Sequence, residues 1–379
     1  MTFDRRCFVR GALGASALGL MGGGPIASGR ALAATAKTGD MGQFIAALPK
    51  AEYHVHLEGT LEAEMKFALA ARNRVKLPYA DVAAMKRSYV FNDLPSFLKV
   101  YYEGMSVLLT EQDFYDLAYA YLTKAHASNV LYAEMFFDPQ QHIDRGVPIA
   151  AVIGGITRAR AAAQANMGIE SQLILCFMRD LTAANAMAAL DAALPYKDKL
   201  IGVGLDSDEK DNPPEKFAAH FAKARAAGLH VTAHCDVNQK DTLGHIRTAL
   251  EDIKVERIDH GGNILQSPEL IALARRKGIA FTVCPTFSGQ ILVDGKPVEV
   301  VRGMLDQGLK VTLNSDDPAY MGSAYLTDVI VAAQARSNLT RAELVRIERN
   351  AFDAAWLPPR RKARFQAKLD AFAREWGVV

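Results

Sequence analysis

Cysteine is scarce in this chain and badly spaced for metal or disulfide chemistry: Cys7, Cys176, Cys235 and Cys284 include no Cys-x-x-Cys pair. That excludes a thiolate zinc site and a disulfide framework, and leaves the last three, each within an apolar stretch, as buried thiols. Charge of one sign is lacking too. With 44 Lys and Arg against 42 Asp and Glu, a net charge of +2 offers no field for nucleic acid or a membrane surface. No Gly-x-Gly-x-x-Gly follows an apolar run, so the nucleotide signature of an open doubly wound sheet is missing. Internal repeats are absent, and no apolar run makes a good membrane span.

The first 33 residues are unlike the rest. Arg5-Arg6 precedes an Ala/Gly/Leu run through Met21, then a Gly/Pro/Ser break and the small-x-small triplet Ala31-Leu32-Ala33. This order predicts a twin-arginine export signal over 1–33, with the export machinery as partner. A periplasmic mature protein without stable membrane anchoring follows, with a linker over 34–48. Substrates of that route are typically exported folded, which suits a chain that loads a cofactor first.

Eight short β-rich runs recur beyond the signal, at 51–57, 130–137, 171–178, 200–206, 229–235, 256–262, 278–284 and 308–315. Segments with helical spacing separate most of them: 148–166, 181–194, 214–227, 241–253 and 267–277. Alternation of this kind predicts an α/β fold, a (β/α)8 TIM barrel occupying 49–379. Residues 61 to about 128 are too long for one crossover and predict a helical insertion after the first strand. The tail from Thr340 predicts one or two C-terminal helices, with the basic cluster at 360–364 as a solvated face.

Of nine histidines, four fall at strand ends: His54 and His56 on the first strand, His234 on the fifth and His260 on the sixth. Asp316 and Asp317 lie just past the eighth. A barrel brings those ends to one rim, where catalytic groups gather. His54 and His56 are two apart and share a strand face. With His234 and Asp316 they make a plausible Zn2+ donor set with a position left for water, whose pKa the metal would lower toward neutrality. Asp316 could also take the water's proton, and His260 is placed to orient the nucleophile. His126, His142, His220 and His245 fall on helices or loops, and His230 reads as a barrel-bottom residue.

The segments Lys50-Ala-Glu-Tyr-His-Val-His-Leu-Glu-Gly59, Gly202-Val-Gly-Leu-Asp-Ser207, Thr232-Ala-His234, Arg257-Ile-Asp-His-Gly261, Cys284-Pro-Thr286 and Asn314-Ser-Asp-Asp-Pro318 together carry a resemblance. From Pro49 to about residue 355 the chain resembles the adenosine/adenine deaminase branch of the amidohydrolase superfamily. The resemblance implies a single Zn2+ on His54, His56, His234 and Asp316, with His260 assisting. Gly204 and Asp317 would meet a purine ring. The implied reaction is hydrolytic deamination of a 6-aminopurine, adenine or adenosine, by metal-hydroxide attack at C6, yielding hypoxanthine or inosine plus ammonia.

Two departures bear on that reading. The family continues its fifth strand as His-Ala-Gly-Glu, the glutamate carrying the ring proton, whereas this chain has His234-Cys-Asp-Val237. Asp236 is the nearest replacement, unless it caps the next helix with Asn238, and Glu209 or Asp208 could reach in from the fourth strand's loop. Glu58 stands where nucleoside deaminases commonly carry an aspartate that helps bind ribose. The longer carboxylate favours a free base or an N6-substituted amine. Two alternatives stay open: an amidohydrolase of another cyclic amidine, amide or N-substituted aromatic amine, and a metal-retaining binding protein without catalysis.

Overall fold

Near-continuous apolar runs, not alternating ones, build the central sheet, because helices on one side and the barrel interior on the other bury both faces. The third strand shows this: all six of its closing residues, Leu173 to Met178, are fully buried. In the computed structural model, which describes residues 37–235, 240–286 and 289–378, eight parallel strands follow one another in chain order. They are β1 (Lys50–Glu52), β2 (Val130–Phe137), β3 (Glu170–Met178), β4 (Gly202–Asp206), β5 (His230–Cys235), β6 (Arg257–His260), β7 (Ala280–Val283) and β8 (Lys310–Leu313). Two hydrogen bonds just beyond β1 and β8 close the ring: Asp316 N donates to His54 O at 2.9 Å, and His56 N donates to Asp316 O at 3.0 Å. The expected (β/α)8 barrel is therefore present.

Helices join the strands where the spacing placed them, at Ile149–Met167, Ala183–Ala193, Ala218–Ala226, Thr242–Thr248 and Pro268–Lys277. Three start on a side-chain cap: Thr182, Asp241 and Ser267 each accept a hydrogen bond from a backbone N–H three residues on. After β1 come Ala63–Asn73, Val82–Ser88 and Leu94–Gly104, which form the insertion, and then Glu111–Ala127, which leads into β2. Two helices, Arg341–Ala354 and Pro359–Glu375, end the chain. Among the described residues no helix is long and apolar enough to cross a membrane.

Two expectations are corrected. The segment read as a linker contains the helix Met41–Ala47, capped by Asp40, with Phe44 and Ile45 buried. Phe44 packs against Phe372 and Trp376, so this helix closes over the C-terminal one. The basic cluster is not wholly solvated, since Arg361 and Arg364 both pair with Glu170 at the start of β3. The export signal lies outside the described residues.

The barrel's floor is polar. Arg257 opens β6 and Glu134 lies on β2, strands on opposite sides of the ring, so their 2.6 Å ion pair crosses the interior with both side chains buried. Glu134 also accepts from Tyr132 OH and Trp356 N, and the guanidinium lies 3.6 Å from the Trp356 ring centroid. His230 stacks on the other flank of this assembly, on Trp356, as a barrel-bottom residue should. Removing one partner of such a pair strands a buried charge. Arg257→Leu should lower the unfolding free energy by about 3–5 kcal/mol in urea titrations, and a loss within the error of the fit would contradict this account of the floor.

Candidate metal and active site

At the opposite end of the barrel the strand termini deliver imidazoles to one point. One ligand atom each from His54, His56, His234 and Asp316 lies within 4.8 Å of the others, and all four side chains are buried. Asp316 Oδ1 is 3.2 Å from His54 Nε2 and 3.5 Å from His56 Nε2. The Nε2 atoms of His56 and His234 face each other at 3.2 Å. His260 completes the group, its Nε2 3.8 Å from Asp316 Oδ2. Both His260 and Asp316 hold left-handed backbone, with φ of 65° and 63°, at a cost of about 1–3 kcal/mol each. Strain of that kind persists only where the surrounding structure demands it.

The cluster suits a metal cation on the chemistry of its donors. His54 Nδ1 lies 3.1 Å from the Thr282 carbonyl, which only accepts, so the proton sits on Nδ1 and Nε2 keeps its lone pair. That Nε2 is buried without a hydrogen-bond partner among the described residues. Burial depresses His56 and His260 to about 3 and pulls His234 well below its usual value, favouring the neutral imidazoles that bind metals. Against burial, the Asp316 carboxylate raises His54, and the surrounding imidazoles pull Asp316 below the usual range. Asp259 braces the set from beneath. It accepts from Thr282 Oγ1 at 2.7 Å and Thr232 Oγ1 at 2.8 Å, and lies 3.5 Å from His234 Nδ1.

Beside these imidazoles the cleft carries further carboxyl groups. Asp138, Asp206 and Asp317 all line it, as does Glu209. Burial pushes Asp138 and Asp317 well above the carboxylate range, aided by neighbouring carboxylates, and Asp206 up to about 7. Asp317 Oδ1 packs so close to Gly59 that a β-carbon there would come within 2.0 Å, which is why the loop after β1 needs glycine. Glu58 lies deeper. Its Oε1 accepts from His142 Nε2 at 2.7 Å and Asp138 N at 3.2 Å, while Arg145 Nη2 meets the other ring nitrogen at 3.1 Å. Arginine only donates, so His142 must present Nε2–H to Glu58.

The insertion supplies an apolar wall: Leu94, Phe97, Leu98, Tyr101 and Tyr102 line the cleft. Two contacts tie that wall to the barrel. Tyr102 OH donates to Ser207 Oγ at 2.7 Å, just beyond β4. Lys66, itself buried, donates to Tyr89 OH at 2.9 Å and to Tyr320 OH at 2.7 Å, the latter on the loop that carries Asp316 and Asp317.

Most of the sequence-predicted residues meet here, with three exceptions. Gly204 does not line the cleft. It sits within β4, where a β-carbon would come 2.6 Å from Cys176 Sγ, so the glycine serves packing below the rim. Glu58 is fixed by His142 and is not among the lining residues, while Asp236, like Val237, lies outside the described residues. Asp138, Asp206, Lys66 and His142 join the site, though the sequence marks none of the four as a site residue. The first two could have been found by applying the strand-end rule to carboxylates as well as imidazoles. Lys66 and His142 sit on helices and gave no signal.

The profile of the adenosine deaminase family matches residues 49–372. The chain belongs to the adenosine deaminase family. It is a hydrolytic deaminase, acting on C–N bonds. Among family relatives, an uncharacterised deaminase of Schizosaccharomyces pombe is 54% identical over 88% of this chain and 98% of its own. An adenine deaminase of Cupriavidus pinatubonensis is 49% identical over 86% and 92%. A crystal structure of adenine deaminase from Arthrobacter aurescens superposes with a TM-score of 0.81 at 36% identity, covering 86% of this chain and all of that one. A Burkholderia ambifaria amidohydrolase with bound Zn superposes at 0.79 and 29% identity, covering 91% and 98%. Family membership thus accounts for the barrel, and the family's dependence on a metal matches the cluster of candidate ligands at its rim.

The Lys66 contact has a measurable consequence. Burial pulls its ammonium from 10.5 down to about 7, with Glu103 partly opposing. Between those values the unfolded chain holds a proton that the folded one does not, so this group makes stability rise with pH, by up to about 1.4 kcal/mol per pH unit. In urea titrations between pH 7 and 9, Lys66→Met should remove that rise; an unchanged slope would show that the ammonium stays charged when buried.

Proposed function

We propose that this deaminase acts on a free 6-aminopurine of the adenine type, releasing ammonia and leaving the 6-oxopurine, with a Zn2+ ion held by His54, His56, His234 and Asp316. The carrying observation is the convergence of those four buried groups. Supporting it are the adenine deaminases at 47–49% identity and the zinc-bound structural relative. The cleft's chemistry favours a base over a nucleotide, because among the described residues no Lys or Arg side chain lines it.

A zinc ion in this site supplies Lewis acidity and brings a bound water's pKa toward neutrality. The protein's own groups supply the rest. The Phe97, Tyr101 and Tyr102 rings confine a flat occupant and exclude water. Asp317 fixes the ring's orientation from beside the metal ligands, which is positional work. His260 Nε2 and Asp316 Oδ2, 3.8 Å apart, hold the proton released as the nucleophile adds to C6. Delivery of a proton to the ring falls to Glu209, in the role left open by valine at 237. Glu209 lines the cleft, and Arg179 Nη1 holds it at 3.3 Å while donating to the His234 carbonyl at 2.9 Å. The reading of residues 1–33 as an export signal places this activity in the periplasm, for salvage of external bases. Subcellular fractionation of the full-length protein tests that part separately.

His234→Ala should lower bound zinc and abolish the absorbance change as adenine is consumed. Zinc-loaded wild type that leaves adenine and related aminopurines untouched would sink the proposal. Glu209→Gln should keep zinc and lose about 10²–10⁴ in kcat. Should Asp236→Asn show that loss and Glu209→Gln full activity, the proton comes from Asp236 instead.

A further inference from the structure

The barrel mouth holds more carboxyl groups than a four-ligand metal site uses. Asp206, after its strand's last apolar residue, lies behind that site, its Oδ2 3.5 Å from His56 Nδ1. Asp138, just past β2, shares a side-chain hydrogen bond with Asp206 and is not among the four-ligand set. Its side chain is 1% exposed, lines the cleft, and keeps an oxygen, Oδ1, without a hydrogen-bond partner among the described residues. No cationic side chain is among the described lining residues to compensate it. A desolvated acceptor of this kind is unfavourable in the empty cleft and satisfied once an occupant brings a donor. The aromatic side chains of Phe97, Tyr101 and Tyr102 require that occupant to be flat. On a purine, the imidazole ring offers an N–H only while its nitrogens are unsubstituted, and a sugar at N9 removes it.

We propose that Asp138 is a specificity-determining residue whose Oδ1 accepts the ring N–H of a free base, so that purines substituted at N9 are refused. This rests on the aminopurine reading above. A nucleoside entering the cleft would leave the acceptor unpaired and bring a sugar against buried carboxyl groups. Sites built to hydrogen-bond a substrate group reject analogues lacking it far more strongly than apolar pockets reject an extra methylene. Glu58 supports the arrangement by accepting the Asp138 backbone N–H at 3.2 Å, and His142 holds Glu58 in turn.

The test compares adenine with 9-methyladenine on the zinc-loaded full chain. Wild type should prefer adenine by at least about 10²-fold in kcat/KM. Asp138→Ala, which removes the acceptor and opens space, should cut that preference at least tenfold with zinc content unchanged. Asp138→Asn, which keeps a carbonyl oxygen in place, should retain most of it. Calorimetric binding of both bases reads the same preference without turnover. Adenine turnover with an unaltered preference in Asp138→Ala overturns this inference alone. So does a zinc titration that finds a second ion per chain lost in Asp138→Ala, since His56, Asp138 and Asp206 would then be a second metal cluster. Failure of wild type to bind or convert either base overturns the aminopurine reading and this inference with it.

Discussion

Everything at the barrel mouth depends on how Asp316 is held. Its backbone makes both hydrogen bonds that close the ring between the first and last strands, and its side chain lies among three imidazoles. One residue thus joins the two ends of a sheet built from segments more than 250 positions apart and sets the point where the ligands meet. The left-handed φ at Asp316 is what lets one residue do both, turning the carboxylate inward while the backbone still pairs with β1. His260 holds the same left-handed backbone at the end of β6.

Below that point the interior is layered by chemistry. Aliphatic packing alone would leave the imidazoles free to rotate, so the layer under them is built from Thr232, Asp259 and Thr282, short side chains that hydrogen-bond without bulk. Beneath these, Glu134 and Arg257 fill the floor with a charge pair. A polar core of this kind is tolerable only because each carboxylate has donors. Among the described residues, the buried carboxyl oxygens lacking one, neighbouring carboxyls aside, are on Asp138, Asp206, Asp317 and Glu58, in or just beneath the cleft, and on Glu103 in the insertion.

The fold was legible because most parallel strands covered on both faces read as apolar runs, as β2 and β3 do, while the polar β1 and β6 showed by their place in the alternation with helices. Imidazoles were legible for a related reason: a strand terminus maps to the rim, so His54, His56, His234 and His260 could be grouped without coordinates. What the sequence withheld was depth. Gly204 and Asp206 are two apart on one strand, yet the glycine packs on Cys176 beneath the rim while the aspartate reaches the cleft. His142 looked like any helical histidine, because the arginine and glutamate that fix its tautomer are distant or masked by the turn between them. The helix Met41–Ala47 looks like a linker in sequence because its two buried side chains, Phe44 and Ile45, are too few to show a period.

The insertion has a core of its own. Phe97, Leu98, Tyr101 and Met105 cluster with Ala319 and Tyr320, apart from the main barrel core. Because Ala319 and Tyr320 follow Asp316 and Asp317 on one loop, substitutions in this cluster alter the chamber's shape and reach the ligand-bearing loop as well. The wall that selects what enters and the loop that carries the reactive centre are thus packed as one unit, so a change of occupant calls for matched changes on both.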